Sequence, residues 1–185
     1  MKYNLIRKMD ISNGPGVRVS VFMQGCEFHC KNCFNSETWD FEKGKDFSDA
    51  TIDEILKLCD QSYVKGLSIL GGEPMHPRNI EATTKLAKAF KEKYPNKSVW
   101  AWSGFLFDEY LKDKEVMKYV DVLVDGQYKD ELHDPTLKWR GSSNQRVIDV
   151  PKSLQTNEIK FWGRSKKLKY HNFKSTKEFQ VQRKL

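Results

Sequence analysis

Apolar positions along this chain fall into short runs whose period switches between two and about 3.6. Residues 17–24, Val-Arg-Val-Ser-Val-Phe-Met-Gln, alternate β-branched and apolar side chains with polar ones up to a break at Gly25, which predicts a strand. Beyond it, Ile52, Ile55, Leu56 and Cys59 share one face at helical spacing, with Ser48 or Asp49 as the cap. The short apolar run 67–70, stopped by Gly71 and Gly72, reads as a buried strand. A helix over about 79–93 follows, with Ile80, Thr83, Ala87 and Phe90 inward. A strand over 98–102, a helix over 107–119 and a strand over 121–124 complete the regular part. Trp100 and Trp102 share one face of their strand and read as core.

Short strands alternating with helices predict right-handed βαβ units around a parallel sheet, whose carboxyl-end loops gather functional groups. The loops after Gln24, Leu70 and Val124, which carry the unusual chemistry, all leave strand ends. Four to six such units cannot close an eight-stranded barrel, which takes about 250 residues. The expected fold is therefore α/β, an open partial (β/α) barrel. From 125 the pattern is less regular, and the polar run 139–146 leads to a last strand over 147–150.

The 185 residues, 38% of them hydrophobic, suit one domain. The net charge of +7 lies wholly in residues 164–185, with eight basic side chains and one acidic. Residues 1–163 balance 24 basic against 24 acidic groups, which argues against a body-wide nucleic-acid or membrane surface. The division expected is one domain over 1–163 and a basic tail over 164–185, whose composition predicts disorder although it keeps Leu168, Phe173 and Phe179. No run approaches the roughly 18 apolar residues of a membrane span, and the first ten residues lack a signal peptide's apolar stretch, so a cytoplasmic protein is expected.

Cys26, Cys30 and Cys33 are spaced C-x3-C-x2-C, which in a reducing compartment points to metal. Structural zinc wants four protein ligands, so three thiolates either recruit His29 or Cys59 or hold a [4Fe–4S] cluster with one iron open to substrate. Cys59, among Ile52, Ile55 and Leu56, is expected in the core as a small hydrophobe. Gly71-Gly72-Glu73-Pro74 at a strand end offers bare backbone beside a carboxylate, or simply a turn into the next helix. Asp125 at another strand end is read equally as a cofactor or cation contact and as a turn-forming Asp-Gly.

Together the cysteine motif and the Gly-Gly-Glu-Pro turn resemble the radical S-adenosylmethionine superfamily. Asn13-Gly14-Pro15-Gly16, Gln24-Gly25-Cys26 and residues 35–39 look like its glycyl-radical-enzyme activases. Residues 99–104, 122–126 and above all Trp139-Arg140-Gly141-Ser142-Ser143-Asn144-Gln145-Arg146 look like the members that serve anaerobic ribonucleoside-triphosphate reductases. The likeness spans about residues 2–150. It implies that Cys26, Cys30 and Cys33 hold a [4Fe–4S] cluster whose open iron chelates S-adenosylmethionine. It implies further that Gly71, Gly72 and Glu73 contact the cofactor's amino group, and that Asn32 and Phe34 flank Cys33 near the adenosyl moiety. Phe34 stands where the family more often has Tyr or His. Reductive cleavage of the cofactor would yield a radical that takes a glycine α-hydrogen from the reductase large chain, the partner, with a flavodoxin-like or other low-potential electron donor. Such chemistry needs no general acid or base, so His29, His76, His133 and His171 receive no catalytic role. Residues 139–146 are expected to touch substrate or partner. Two rivals are another enzyme of the superfamily, against which the 139–146 run speaks, and a zinc-stabilised nucleic-acid-binding module using the tail.

Overall fold

The computed structural model describes residues 1–163; the proposed basic tail, 164–185, lies outside the described residues. One seven-stranded sheet carries the molecule, in the order β3-β1-β2-β4-β5-β6-β7. Four strands are parallel: β2 (Val17–Met23), β4 (Val64–Gly71), β5 (Ser98–Ser103) and β6 (Val122–Asp125). On one flank β1 (Lys2–Asp10) runs antiparallel to β2 and is edged by the two-residue β3 (Lys45–Asp46). On the other, β7 (Arg146–Asp149) runs antiparallel to β6. The sheet does not close, so the α/β class and the openness expected from the sequence are both present.

Side-chain alternation divides this sheet into two unlike faces. Val19, Val21, Met23, Leu67, Ile69, Val99, Ala101 and Leu123 project to one side and form the main core with helices α1 (Asp49–Cys59) and α2 (Ile80–Lys93). Helix α1 starts at Ser48, whose amide donates to Thr51 Oγ1 at 3.2 Å, and it buries Ile52, Ile55, Leu56 and Cys59 as its spacing predicts. Cys59 is fully buried there, in the core position its spacing predicts. The opposite face carries Arg18, Ser20, Ser68, Trp100, Val122 and Val124, all buried. Trp100 packs with Trp139 and Trp162, and Trp102 is half-buried beside them.

Several elements differ from the pattern. The helix expected over 107–119 is broken into a π-helical turn, Phe107–Leu111, and a 3-10 turn, Glu115–Lys118. Buried Phe107 and Leu111 are four apart, but the next buried residue, Val116, is five further on, with Lys and Glu at 114 and 115. A continuous helix would rotate Val116 and Met117 off the core face, and the break restores them. The last strand is antiparallel, and a further helix, α3 (Val150–Thr156), follows it. Its Asp149 cap accepts from Lys152 N at 3.2 Å, and Pro151 sits in its first turn.

Candidate functional site

Where β2 ends, the chain makes a loop that is tied at its base. Gly25 N donates to Thr38 O at 2.7 Å and Cys26 N to Trp39 O at 3.0 Å, while the Gln24 carboxamide donates to Glu37 O and Asp40 O at 3.1 and 2.8 Å. Gly25 needs its φ of +97°, and the Phe41 ring occupies the space any Cβ would take, 2.1 Å away. Within this loop stand Cys26, buried, and Cys30 and Cys33, half-buried, with Cys33 N bonded to Cys30 O at 3.1 Å. Burial pushes the Cys26 thiol up to about 12, helped by the nearby Glu73 and the other two cysteines, although its bond from the Phe28 amide opposes this. Burial also raises Cys30. A bound cation would reverse this ordering, because coordination deprotonates a thiol outright.

The loop after β4 is stitched onto the first. Gly72 N donates to Met23 O and Glu73 N to Gly25 O, each at 2.8 Å. Asn79 Nδ2 holds Gln24 O at 2.9 Å and Glu73 O at 3.0 Å. A Cβ on Gly71 would stand 2.6 Å from Met23 N, and one on Gly72 would stand 2.5 Å from Gly25 O. The bare backbone expected to approach a ligand is thus required by the approach of two protein loops to each other. Glu73 is buried beneath them. Its Oε1 accepts from Met75 N and Ser103 Oγ at 2.8 Å each, and its Oε2 from Gly104 N at 2.7 Å. Desolvation outweighs these three donors and lifts the carboxyl to about 7.

A cavity of about 720 Å³ opens over these loops. Cys26, Cys30, Cys33, Asn32, Phe34, Gly71, Gly72 and Glu73 all line it, so the structure brings together every expected site residue but one. Asp125 is fully buried outside the lining; Arg146 Nε donates to its Oδ1 at 2.8 Å and Phe107 N to its Oδ2 at 2.7 Å. A structural role accounts for those contacts. Asn32 Nδ2 is held by Asp130 at 3.0 Å, with a left-handed φ of +54° at Asn32, and the Phe34 ring is 88% exposed at the rim. His29 stacks on Trp39 at 4.6 Å, His76 faces Glu27 at 3.4 Å, and His133 Nδ1 meets Gly141 O at 3.0 Å; His171 lies outside the described residues.

Among the described residues no three of His, Cys, Asp and Glu converge on one point as ligands of a single ion would. Cys26, Cys30 and Cys33 all line the cavity, and a [4Fe–4S] cluster does not need them on one point, because each of its cysteines binds its own iron. The donor set is all sulfur, and His29 is turned aside into its stack with Trp39, so the residues present fit a cluster with a free corner.

Ser103, Gly104, Gln127, Tyr128 and Trp39 also line the cavity, and sequence reasoning gave none of them a site role of its own; the buried Arg140, of the 139–146 run expected to touch substrate or partner, lines it too. The loop after Val124, which holds 126–128, was one of the three strand-end loops singled out; 103–104 leaves a parallel strand in the same way, so the same rule would have found it. Gln145 laces the 139–146 run: its Oε1 accepts from Gly141 N and Ser142 N at 2.9 and 3.2 Å, and its Nε2 donates to Gly126 O at 3.0 Å.

An open α/β sheet with a three-cysteine loop over a carboxyl-end cavity defines a class of iron–sulfur protein, and comparison with known families agrees. The family described as 4Fe-4S single cluster domain matches residues 12–148. The anaerobic ribonucleoside-triphosphate reductase-activating protein of Enterobacteria phage T4 is 41% identical over 148 residues, 80% of this chain and 93% of that protein. Its namesakes in Escherichia coli K12 and Vibrio cholerae are 39% and 40% identical over 150 and 151 residues, each covering 80% of this chain and 97% of theirs. The chain belongs to this family of iron–sulfur activating proteins.

Proposed function

We propose that the chain is a radical S-adenosylmethionine activase that installs a glycyl radical on an anaerobic ribonucleoside-triphosphate reductase. The observation that carries this reading is the convergence of Cys26, Cys30 and Cys33 with the Gly71–Glu73 turn on one cavity at the carboxyl ends of parallel strands. In it Cys26, Cys30 and Cys33 hold the [4Fe–4S] cluster, and the open sheet acts as a reduced partial barrel of the radical S-adenosylmethionine type. When bound, cluster and cofactor supply reductive cleavage to methionine and a 5′-deoxyadenosyl radical, with a glycine α-hydrogen of the reductase as that radical's target.

The chain's own residues then bind, orient and exclude water. Gly71, Gly72 and Glu73 would hold the cofactor's amino group, while the Glu73 carboxyl group fixes Ser103 Oγ and the Gly104 amide in the cavity lining. Asn32, Cys33 and Phe34 flank the adenosyl side, and Trp102 and Trp139 wall the cavity with apolar surface. The 139–146 run, of which Trp139, Arg140, Gly141 and Gln145 line the cavity, meets the reductase large chain. A flavodoxin-like or other low-potential donor supplies the electron, and the setting is the cytoplasm. No helix among the described residues is long and apolar enough to cross a membrane. The unit proposed is 1–163, with 164–185 as an appended basic segment.

The test is the absorption and EPR spectrum of anaerobically reconstituted protein before and after S-adenosylmethionine, followed by mixing with the reductase. Iron and sulfide near four each per chain, a cluster signal perturbed by the cofactor and a glycyl doublet on the reductase are expected. One zinc per chain, or cofactor cleavage with the doublet appearing only on a different glycyl radical enzyme, overturns it.

A further inference from the structure

Arg18 and Arg140 are buried, and Arg146 is nearly so. Two of these guanidinium groups are spent inside the protein. Arg18 donates to Ser68 Oγ and to the Leu67 and Ser98 carbonyls, and Arg146 to the Asp125 and Asp108 carboxylates. Arg140 is different. Its Nη1 donates to Gln145 O at 2.5 Å, and its remaining nitrogens have no acceptor among the described residues. Asp134 feels its charge, but the two form no ion pair, and Asp134 Oδ1 already accepts from Thr136 N and Oγ1 at 2.9 and 2.6 Å. Among the described residues Arg140 is also the one lysine or arginine that lines the cavity.

The backbone is bent to put it there. Trp139 holds a left-handed φ of +63°, which a bulky residue seldom adopts, and Trp102 Nε1 donates to its carbonyl at 2.7 Å. On the other side Gly141 lies against the Tyr128 ring, 3.0 Å from where a Cβ would stand. The 127–130 segment then reaches the cysteine loop: Gln127 Nε2 donates to Phe28 O at 3.3 Å, and Asp130 accepts from Asn32 Nδ2 at 3.0 Å. Arg140 and the three cysteines thus face one cavity.

A buried guanidinium without a counter-charge is costly, so its partner is to be sought in what enters the cavity. Resting on the activase reading above, we propose that Arg140 binds a carboxylate there. One positive charge matches a monoanion, and the planar fork of guanidinium nitrogens matches the two coplanar oxygens of a carboxylate. Two molecules that enter on that reading carry such a group: S-adenosylmethionine at its methionine end, and the reductase segment on an Asp or Glu side chain.

The experiment compares anaerobically reconstituted full-length wild type with Arg140→Gln. Equilibrium dialysis measures S-adenosylmethionine and its decarboxylated analogue, and sedimentation measures the reductase large chain. If the cofactor supplies the carboxylate, the variant should hold S-adenosylmethionine roughly tenfold or more weakly, while the analogue binds both proteins alike. If the reductase supplies it, cofactor affinity should stay and reductase affinity should fall by a similar factor. Acetate at matched ionic strength should then compete with the reductase for wild type and not for the variant. Arg140→Lys, which keeps the charge and loses the fork, should recover part of either loss, and it is read in place of Arg140→Gln should that variant fail to fold. Unchanged affinity in both arms overturns the proposal. So does an equal loss of S-adenosylmethionine and analogue, which marks a collapsed loop. Wild type that binds neither cofactor nor reductase strikes the activase reading itself, whereas normal binding by wild type and variant alike strikes only this inference.

Discussion

The two faces of the central sheet are built from adjacent residues yet follow opposite rules. Toward α1 and α2 the strands present Val, Leu, Ile, Met and Ala with almost no polar atom. Toward the cavity the same strands present Arg18, Ser20, Ser68 and two tryptophans. Arg18 is fully buried. Its Nε donates to Ser68 Oγ at 2.7 Å, and its guanidinium nitrogens reach Leu67 O, Ser98 O and Ser98 Oγ at 2.8, 2.9 and 3.0 Å. Burial lowers its pKa to about 10, so it stays charged near neutrality. Ser68 Oγ passes the network on to Asn13 O at 2.6 Å, placing the Asn13 loop on the cavity wall. One face stores stability through area removed from water; the other converts part of that stability into fixed polar positions.

Substitutions on the two faces should separate these roles. The largest contrast is among the cysteines: alanine at Cys26, Cys30 or Cys33 should abolish the intact cluster and all activity. Cys59→Ala should keep full iron and sulfide and lose only about 1 kcal/mol in a denaturant melt. Loss of iron from the Cys59 variant would contradict the assignment of ligands. On the helix face, Phe90→Ala should cost about 3–5 kcal/mol by leaving a cavity, with the cluster spectrum unchanged wherever the protein is folded. On the other face, Arg18→Leu should cost about 3 kcal/mol for a different reason, since it strands the Leu67 and Ser98 carbonyls without their donors. Double substitution with Ser68→Ala should then be less than additive, whereas Phe90→Ala with Arg18→Leu should add.

Glu73 gives the comparison a pH axis. Its folded pKa, about 7, lies above the model-compound value of 4.5 because burial penalises the charge. The folded state therefore holds the proton where the unfolded chain has released it, and stability is greatest below about 4.5 and falls as pH rises through 7. About 2 kcal/mol should be lost between pH 5 and pH 7 from this group. Urea midpoints of wild type and Glu73→Gln at the two pH values measure it, and an equal slope in both would remove Glu73 as the cause. The smallest effect expected is from truncation after Gly163, which keeps Trp162 against Trp100 and should leave cluster loading and cofactor cleavage unchanged.

The helix face was legible because period and burial coincide there: β2, β4 and both long helices stand where the spacing of Val19, Ile55 or Phe90 puts them. Strand β1 was not, because it is half-solvated and leaves Leu5 and Met9 exposed, so its alternation carries little signal. Helix α3 was not legible either: Asp149 and Pro151 give it a cap and first turn, but 147–150 read as the end of a strand and covered its start. The cysteines and Gly71–Glu73 were legible as motifs with local spacing. Arg140 was legible as part of the 139–146 run, whereas Gln127 and Ser103 were not as individual residues, because their meaning lies in contacts made across the sheet by residues with no pattern of their own.

The closure of the cysteine loop by Gln24, Gly25 and Cys26 bears on how the protein matures. Small metal domains commonly draw their folding energy from the ion, and their chain stays open until it arrives. Here the neck of the loop is fastened by main-chain and carboxamide bonds that involve no sulfur. Cys30 and Cys33 meanwhile remain within reach of solvent. Those neck bonds would hold whether or not sulfur is coordinated, so what a cluster would still have to order is the Cys30–Cys33 end of the loop.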